Sequence, residues 1–162
     1  MKVAFVMGSD SDLPVVEKAI NMVKQFGIDT EVRVISAHRT PYIAEKFAKE
    51  ARENGIEVII AAAGKAAHLG GVLAAFTTIP VIGLPILSST LDGLDSLLSI
   101  VQMPPGIPVA TVGINAGENA GLLAVQMLSV KYEELQKAMT EYRSRMAQAV
   151  IEKDALVQAK YQ

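Results

Sequence analysis

The chain has 162 residues, 51% of them hydrophobic and 20% charged, with a formal net charge of −2 and no cysteine. That length suits one domain with a sizeable core. The composition excludes a disordered chain, the charge excludes a basic field that gathers nucleic acid, and the missing cysteine excludes disulfide and thiolate chemistry.

Residues 2–7, KVAFVM, read as a strand, followed by the polar turn GSDSD. This opening is too short in apolar residues for a signal peptide, and no later stretch is long enough to span a bilayer, so a cytoplasmic location is expected. Residues 13–26 carry apolar side chains at helical spacing and stop at Gly27, a natural helix terminator. Residues 30–35 form the next strand. Residues 41–54 form a helix with Pro41 in the first turn, where its missing N–H costs nothing. Strands follow at 57–62, 80–85 and 108–114, with helices at 69–77, 94–103 and 118–130. Strands alternating with helices imply parallel crossovers, and strands that are apolar at nearly every position imply a sheet covered on both faces. The expectation is an α/β three-layer sandwich with a central parallel sheet, flavodoxin-like in shape, occupying residues 1–130.

From Lys131 onward the chain reads as one long helix, residues 131–162. Tyr132, Leu135, Met139, Tyr142, Met146 and Ala149 fall at alternating steps of three and four, a narrow heptad-like seam. Such a seam packs either along its own subunit or on a neighbouring one.

In open parallel sheets ligands bind beyond the carboxyl ends of the strands, so the strand-to-helix loops are the places to look. The first, GSDSD, offers Gly8 for close backbone approach, and Ser9, Ser11 and Asp12 before a helix whose free N–H groups favour an anion. Asp12 repels phosphate but suits ribose hydroxyls. The same residues also serve as ordinary helix caps. The loop has neither GxGxxG nor Walker A spacing, so dinucleotide and ATP binding are not indicated. The second loop, SAHRTP, brings together Ser36, His38 and Arg39. A guanidinium grips phosphate as a bidentate fork, and histidine is the residue type that gives and takes protons near neutrality. The third loop, AAAGKAAHLGG, has small residues and the second of the two histidines, His68, which caps, packs or acts. Two histidines without an evident third ligand are a thin metal set, and no metal is expected.

Taken together, MGSDSD, SAHRTP, AAHL, LDGLDSLLSIVQMPPGIPVATV and NAGLLA resemble the N5-carboxyaminoimidazole ribonucleotide mutase family of de novo purine biosynthesis, in order from about residue 3 to residue 130. The resemblance implies an isomerase that transfers a carboxylate from the exocyclic nitrogen to C4 of the imidazole without metal or organic cofactor. It implies a homo-octamer of three-layer α/β subunits, with active sites where subunits meet. It also implies that Ser9, Ser11 and Arg39 hold the phosphate and Asp12 the ribose. On the same basis His38 carries the proton, and Ser36 helps place the ligand. The loop containing Gly64, Lys65, Ala66, His68 and Leu69 then surrounds the migrating carboxylate.

The sequence departs from the family's usual third loop: Ala62 and Lys65 stand where glycines are usual, and Gly70 where proline is usual. A related class that carboxylates aminoimidazole ribonucleotide directly with CO2 has a basic residue near Lys65 but lacks the AAH histidine, which is retained here. Lys65 is otherwise a solvated loop charge. Rival readings are a flavodoxin or receiver module, for which the loops lack stacking aromatics and a strand-ending aspartate, and a structural assembly protein that binds no nucleotide.

Overall fold

A computed structural model describes residues 1–161 of the 162. Five parallel strands, β1 (Lys2–Met7), β2 (Asp29–Val34), β3 (Val58–Gly64), β4 (Val81–Ile86) and β5 (Ala110–Thr111), form one sheet in the order β2-β1-β3-β4-β5. Helices α1 (Leu13–Gln25), α2 (Pro41–Glu50), α3 (Leu69–Phe76), α4 (Leu94–Val101) and α5 (Gly117–Ser129) cover its two faces, and α6 (Glu133–Tyr161) follows. This is the expected three-layer α/β sandwich, with the flavodoxin-like strand order.

The apolar runs of the sequence become two half-cores. Val3, Phe5 and Met7 of β1 point to one face with Ile60 of β3 and Leu84 of β4, under α1, α5 and the start of α6. Ala4 and Val6 point to the other face with Ile59 and Ala61, under α2, α3 and Ile100 of α4. Burial of a side chain such as Phe5 contributes roughly 1.5–3 kcal/mol, so the paired half-cores fix the sheet from both sides. Helices α1 and α5 approach closely because α5 presents glycines. A Cβ on Gly117 would collide with the Val15 carbonyl, and one on Gly121 would sit 2.8 Å from that of Ala19.

Some elements differ from the sequence expectation. The strand expected over 108–114 pairs only at Ala110–Thr111, prolonged by the Val112 N–H donating to the Gly83 carbonyl (3.1 Å). As an edge strand it has one neighbour, and Pro108 has no N–H to offer, so apolarity there does not translate into full burial. Strand β3 instead runs two residues past its expected end, to Gly64. Helix α2 stops at Glu50, its remaining turns leading to Gly55 at φ +76°.

The long helix begins two residues after its expected start. Lys131 and Tyr132 form a clasp before it, the Lys131 ammonium donating to Glu57 (2.8 Å) and the Tyr132 hydroxyl to the same carboxylate (2.9 Å). Burial pushes the Glu57 carboxyl up, but these two donors outweigh it and hold it below its ordinary range. Leu135 and Met139 of the seam are buried in the subunit's own core, and Tyr142 meets Phe26 with ring centroids 5.8 Å apart. Beyond that the seam is uncovered, Met146 and Ala149 being exposed, as are Val150, Ile151, Leu156, Val157 and Tyr161 further along α6. Gln162, the last residue of the expected tail segment, lies outside the described residues. Among the described residues no helix is long and apolar enough to cross a membrane.

Candidate active site

The loops after β1, β2, β3 and β4 surround a cleft of about 730 Å³ at the carboxyl ends of the strands. Sequence reasoning singled out Ser9, Ser11, Asp12, Ser36, His38, Arg39, Gly64, Lys65, Ala66, His68 and Leu69, and all of them line it. A larger cleft of about 930 Å³ lies elsewhere, lined by Lys49, Arg52, Phe76 and Pro108 among others, but contains neither histidine.

After β1 the chain makes a single 3-10 turn, Asp10–Asp12, before α1. Ser9 caps that turn, its hydroxyl accepting from the Ser11 N–H (3.3 Å) and from the Ser11 hydroxyl (2.9 Å). Asp12 stands at the start of α1 but makes no side-chain cap bond. Capping therefore accounts for Ser9 but not for Asp12, whose carboxylate accepts from the Ser11 hydroxyl at 3.3 Å. Burial pushes the Asp12 carboxyl above its ordinary value, opposed in part by the Ser11 hydroxyl.

After β2, Ser36 and Thr40 close a turn: the Ser36 N–H donates to the Thr40 hydroxyl (3.1 Å), which donates to the Ser36 carbonyl (3.0 Å). The Ser36 hydroxyl accepts from both the backbone N–H and the Nε–H of Arg39, each at 3.2 Å. The Arg39 Nη2 donates to the Gly8 carbonyl (3.0 Å). The guanidinium is thus held at two points between the first and second loops before any ligand arrives. Its remaining N–H groups and the Ser36 hydroxyl proton stay available.

His38 Nε2 and His68 Nδ1 lie 2.9 Å apart, with the rings nearly perpendicular at 78°. The His68 side chain makes no cap bond to α3, so its partner is the other imidazole. A neutral pair in this contact shares one proton. Placing that proton on His38 Nε2 leaves His38 Nδ1 bare, whereas placing it on His68 Nδ1 leaves His68 Nε2 bare. A proton taken up at His38 Nδ1, with the contact proton passed to His68 Nδ1 and another released from His68 Nε2, moves the bare nitrogen from one end of the pair to the other.

Lys65 has φ +55°, the left-handed region that favours glycine, which gives a physical reason for a glycine to be usual at this position. Its carbonyl accepts from Ser99 of α4 at 3.4 Å. Sequence reasoning missed the fourth wall, Ile86–Ser89, which carries no residue of obvious chemistry. Its position at a strand's carboxyl end was the available signal. Among the described residues no group of three or more His, Cys, Asp or Glu side chains is placed to hold a metal ion.

The family model described as AIR carboxylase matches residues 2–149. The chain belongs to the AIR carboxylase family. It is 61% identical over 145 residues to an N5-carboxyaminoimidazole ribonucleotide mutase of Pyrococcus abyssi, covering 90% of this chain and 83% of that protein. It is 56% identical over 152 residues to a mutase of the same name from Thermotoga maritima, covering 94% and 89%. Among solved structures it resembles Treponema denticola PurE, with a TM-score of 0.88 at 32% identity over 95% of this chain and 96% of that one.

Proposed function

We propose that this chain isomerises N5-carboxyaminoimidazole ribonucleotide in de novo purine synthesis, moving the carboxylate from the exocyclic nitrogen to C4 of the imidazole. The observation that carries the mechanism is the His38–His68 contact, placed in the same cleft as a pre-held arginine. Arg39, with Ser9 and Ser11, takes the phosphate, and Asp12 takes the ribose hydroxyls. Ser36 steadies Arg39 and offers its own proton to the ligand.

The chemistry then follows from the imidazole pair. The carbamate N–C bond breaks with its electron pair left on nitrogen, which takes a proton from the pair. Carbon dioxide is freed beside C4, which is nucleophilic in an aminoimidazole. C4 attacks, a C–C bond forms, and the proton displaced from C4 returns to the pair. The reaction is balanced in protons and electrons, so its arithmetic calls for no redox cofactor. Holding CO2 against C4 replaces a bimolecular encounter, which is where proximity contributes most. The small residues Ala63, Gly64, Ala66 and Ala67 let the third loop close around it, with Leu69 behind.

Lys65 favours a second reading, direct carboxylation of aminoimidazole ribonucleotide, because an ammonium at this wall attracts bicarbonate or steadies a carboxylate. In the mutase reading the same charge holds the migrating carboxylate. Labelled bicarbonate supplied with each substrate separates the two. Efficient conversion of the N5-carboxylated substrate into product with little label supports the mutase. Rapid labelling from aminoimidazole ribonucleotide, with poor use of the N5-carboxylated compound, overturns it.

The enzyme works as a homo-oligomer, an octamer by family resemblance, in the cytoplasm where a soluble nucleotide is made and consumed. The free half of α6 supports this, as do Leu91, Leu94, Leu98 and Val101, exposed along one side of α4 and the turn before it. Residues 131–161 pack through their first turns on their own α/β domain of residues 1–130, and through their later turns on a neighbouring subunit.

A further inference from the structure

The β4–α4 loop, residues 87–93, supplies the fourth wall of the cleft through Leu87, Ser88 and Ser89 and has no part in the chemistry above. It leaves the sheet beside the third loop, since Ile86 is the register partner of Gly64, and a Cβ on Gly64 would lie 3.5 Å from the Ile86 carbonyl. Its first residue, Leu87, is a large apolar side chain 53% exposed, on the same cleft as Leu69, Ile86 and the alanines of the third loop.

The loop is strained and tightly held. Leu91 and Asp92 at φ +49° and Gly93 at φ +86° are left-handed in succession. Such a run persists only where its surroundings over-determine it. The Ser96 hydroxyl, fully buried, lies 2.8 Å from both the Ile86 and the Gly93 carbonyls, tying the two ends of the loop together. The Leu87 N–H donates to the Asn115 side-chain oxygen (2.8 Å), and the Asn115 N–H donates to the Pro85 carbonyl (2.8 Å). Asn115 is itself left-handed at φ +56°. Gly93 leaves no room for a side chain, because a Cβ there would be 3.2 Å from the Leu87 Cα and 2.9 Å from Ile114. The effect is to fix the backbone of one exposed leucine at the rim of the cleft.

Carbon dioxide is neutral and has no dipole, so charges and hydrogen bonds hold it poorly. An apolar wall retains it by blocking its exit. We propose that residues 87–89, held in place by the rest of the loop, are the wall that keeps CO2 in the cleft between its loss from nitrogen and its capture by C4. Leu87 is the closing side chain, and Asn115 and Ser96 are positioning residues. The inference rests on the mutase reading. Atoms balance as above: the wall takes no proton and forms no bond, and acts only on the partition between recapture and escape.

The test is that partition. Enzyme, N5-carboxylated substrate and labelled bicarbonate are mixed. Label in the product and free aminoimidazole ribonucleotide are measured, after subtraction of the enzyme-free decarboxylation. In Leu87→Ala, and in Asn115→Ala, escape should rise about fivefold relative to recapture, equivalent to about 1 kcal/mol at 1.36 kcal/mol per factor of ten. Leu87→Met, which restores apolar bulk, should return the partition toward wild type. A merely structural role lowers turnover without changing the partition. Leu87 is exposed, so its alanine variant carries the test even where Asn115→Ala does not fold. A Leu87→Ala enzyme that leaks no more than wild type, at any turnover, overturns the proposal. Heavily labelled product from the wild type is a different outcome and overturns the mutase reading itself.

Discussion

Arg39→Ala should weaken nucleotide binding, and the structure says by how much and through which neighbour. The guanidinium is fixed by the Ser36 hydroxyl on Nε and the Gly8 carbonyl on Nη2. A hydrogen bond to a charged group contributes about 1.5–3 kcal/mol, so removing the side chain should raise the dissociation constant roughly tenfold to a hundredfold. Ser36→Ala leaves the charge in place but frees Nε. The exposed, solvent-screened contact, at about 1 kcal/mol, converts to about a fivefold loss. In the Arg39→Ala background Ser36 has no guanidinium to hold, so its further removal should cost only the bond that its own hydroxyl makes to the ligand. The double-mutant cycle should therefore show a coupling of about 1 kcal/mol. Titration calorimetry with the carboxylated product, on all four proteins, reads both quantities. Strictly additive losses would refute the positioning role of Ser36, and unchanged affinity in Arg39→Ala would remove the phosphate from this end of the cleft.

His38→Asn should fold and bind nucleotide but lose turnover by about two to four orders of magnitude, the span of a general acid–base group. Near-normal rates in stopped-flow assays would exclude His38 as proton carrier. Asp12→Asn should stabilise the ligand-free protein at neutral pH while weakening binding about tenfold, since it removes a charged acceptor for ribose hydroxyls. The sign follows from burial raising the Asp12 carboxyl above its ordinary 3.8. Between that value and the raised one the native state binds the proton more readily than the unfolded chain does. Stability from this group therefore falls as pH rises through that window, and the cost persists at neutrality. Thermal unfolding across pH should show the variant's advantage at pH 7 disappearing in acid; a variant that melts lower at neutral pH contradicts this. Ending the chain at Arg143 keeps Leu135, Met139 and Tyr142 but deletes the uncovered part of α6. Sedimentation should then show a smaller assembly of folded subunits, and an unchanged assembly would mean that the distal helix joins nothing.

The fold was legible because its strands announce themselves. KVAFVM and VIIAAAG are apolar on both faces, and that is possible only inside a covered parallel sheet. The same signal misled at 108–114, because periodicity does not reveal how many neighbours a strand has. Residues Ser9, Asp12, His38 and Arg39 could be picked out because their chemistry is out of place at strand ends. The His38–His68 contact could not, since the two are thirty positions apart and only the order of the strands brings them together. Leu87 and Asn115 were invisible for a different reason. Their importance lies in backbone geometry, a left-handed turn and an N–H satisfied by a side chain, and a leucine or an asparagine in a loop gives no sign of either.

Strand order also sets the direction in which the nucleotide lies. The chain passes from β1 outward to β2, then returns across to β3 and onward to β4. The loops after β1 and β3 therefore part at the point where the order reverses, and a crevice opens there. Arg39, after β2, turns back to the Gly8 carbonyl at the end of β1, so the proposed phosphate site lies over the β2–β1 side. His38, its neighbour in sequence, reaches further the same way, past β1 to His68 after β3. On the proposed reading, ribose at Asp12 lies between them, the imidazole ring is carried over β3, and the carboxylate extends toward β4, where Leu87 stands. On the proposed reading, two adjacent residues of one loop reach different strands and serve different parts of the ligand, which sets its polarity: turning the nucleotide around would place the phosphate against apolar Leu87 and the carboxylate away from the His38–His68 pair.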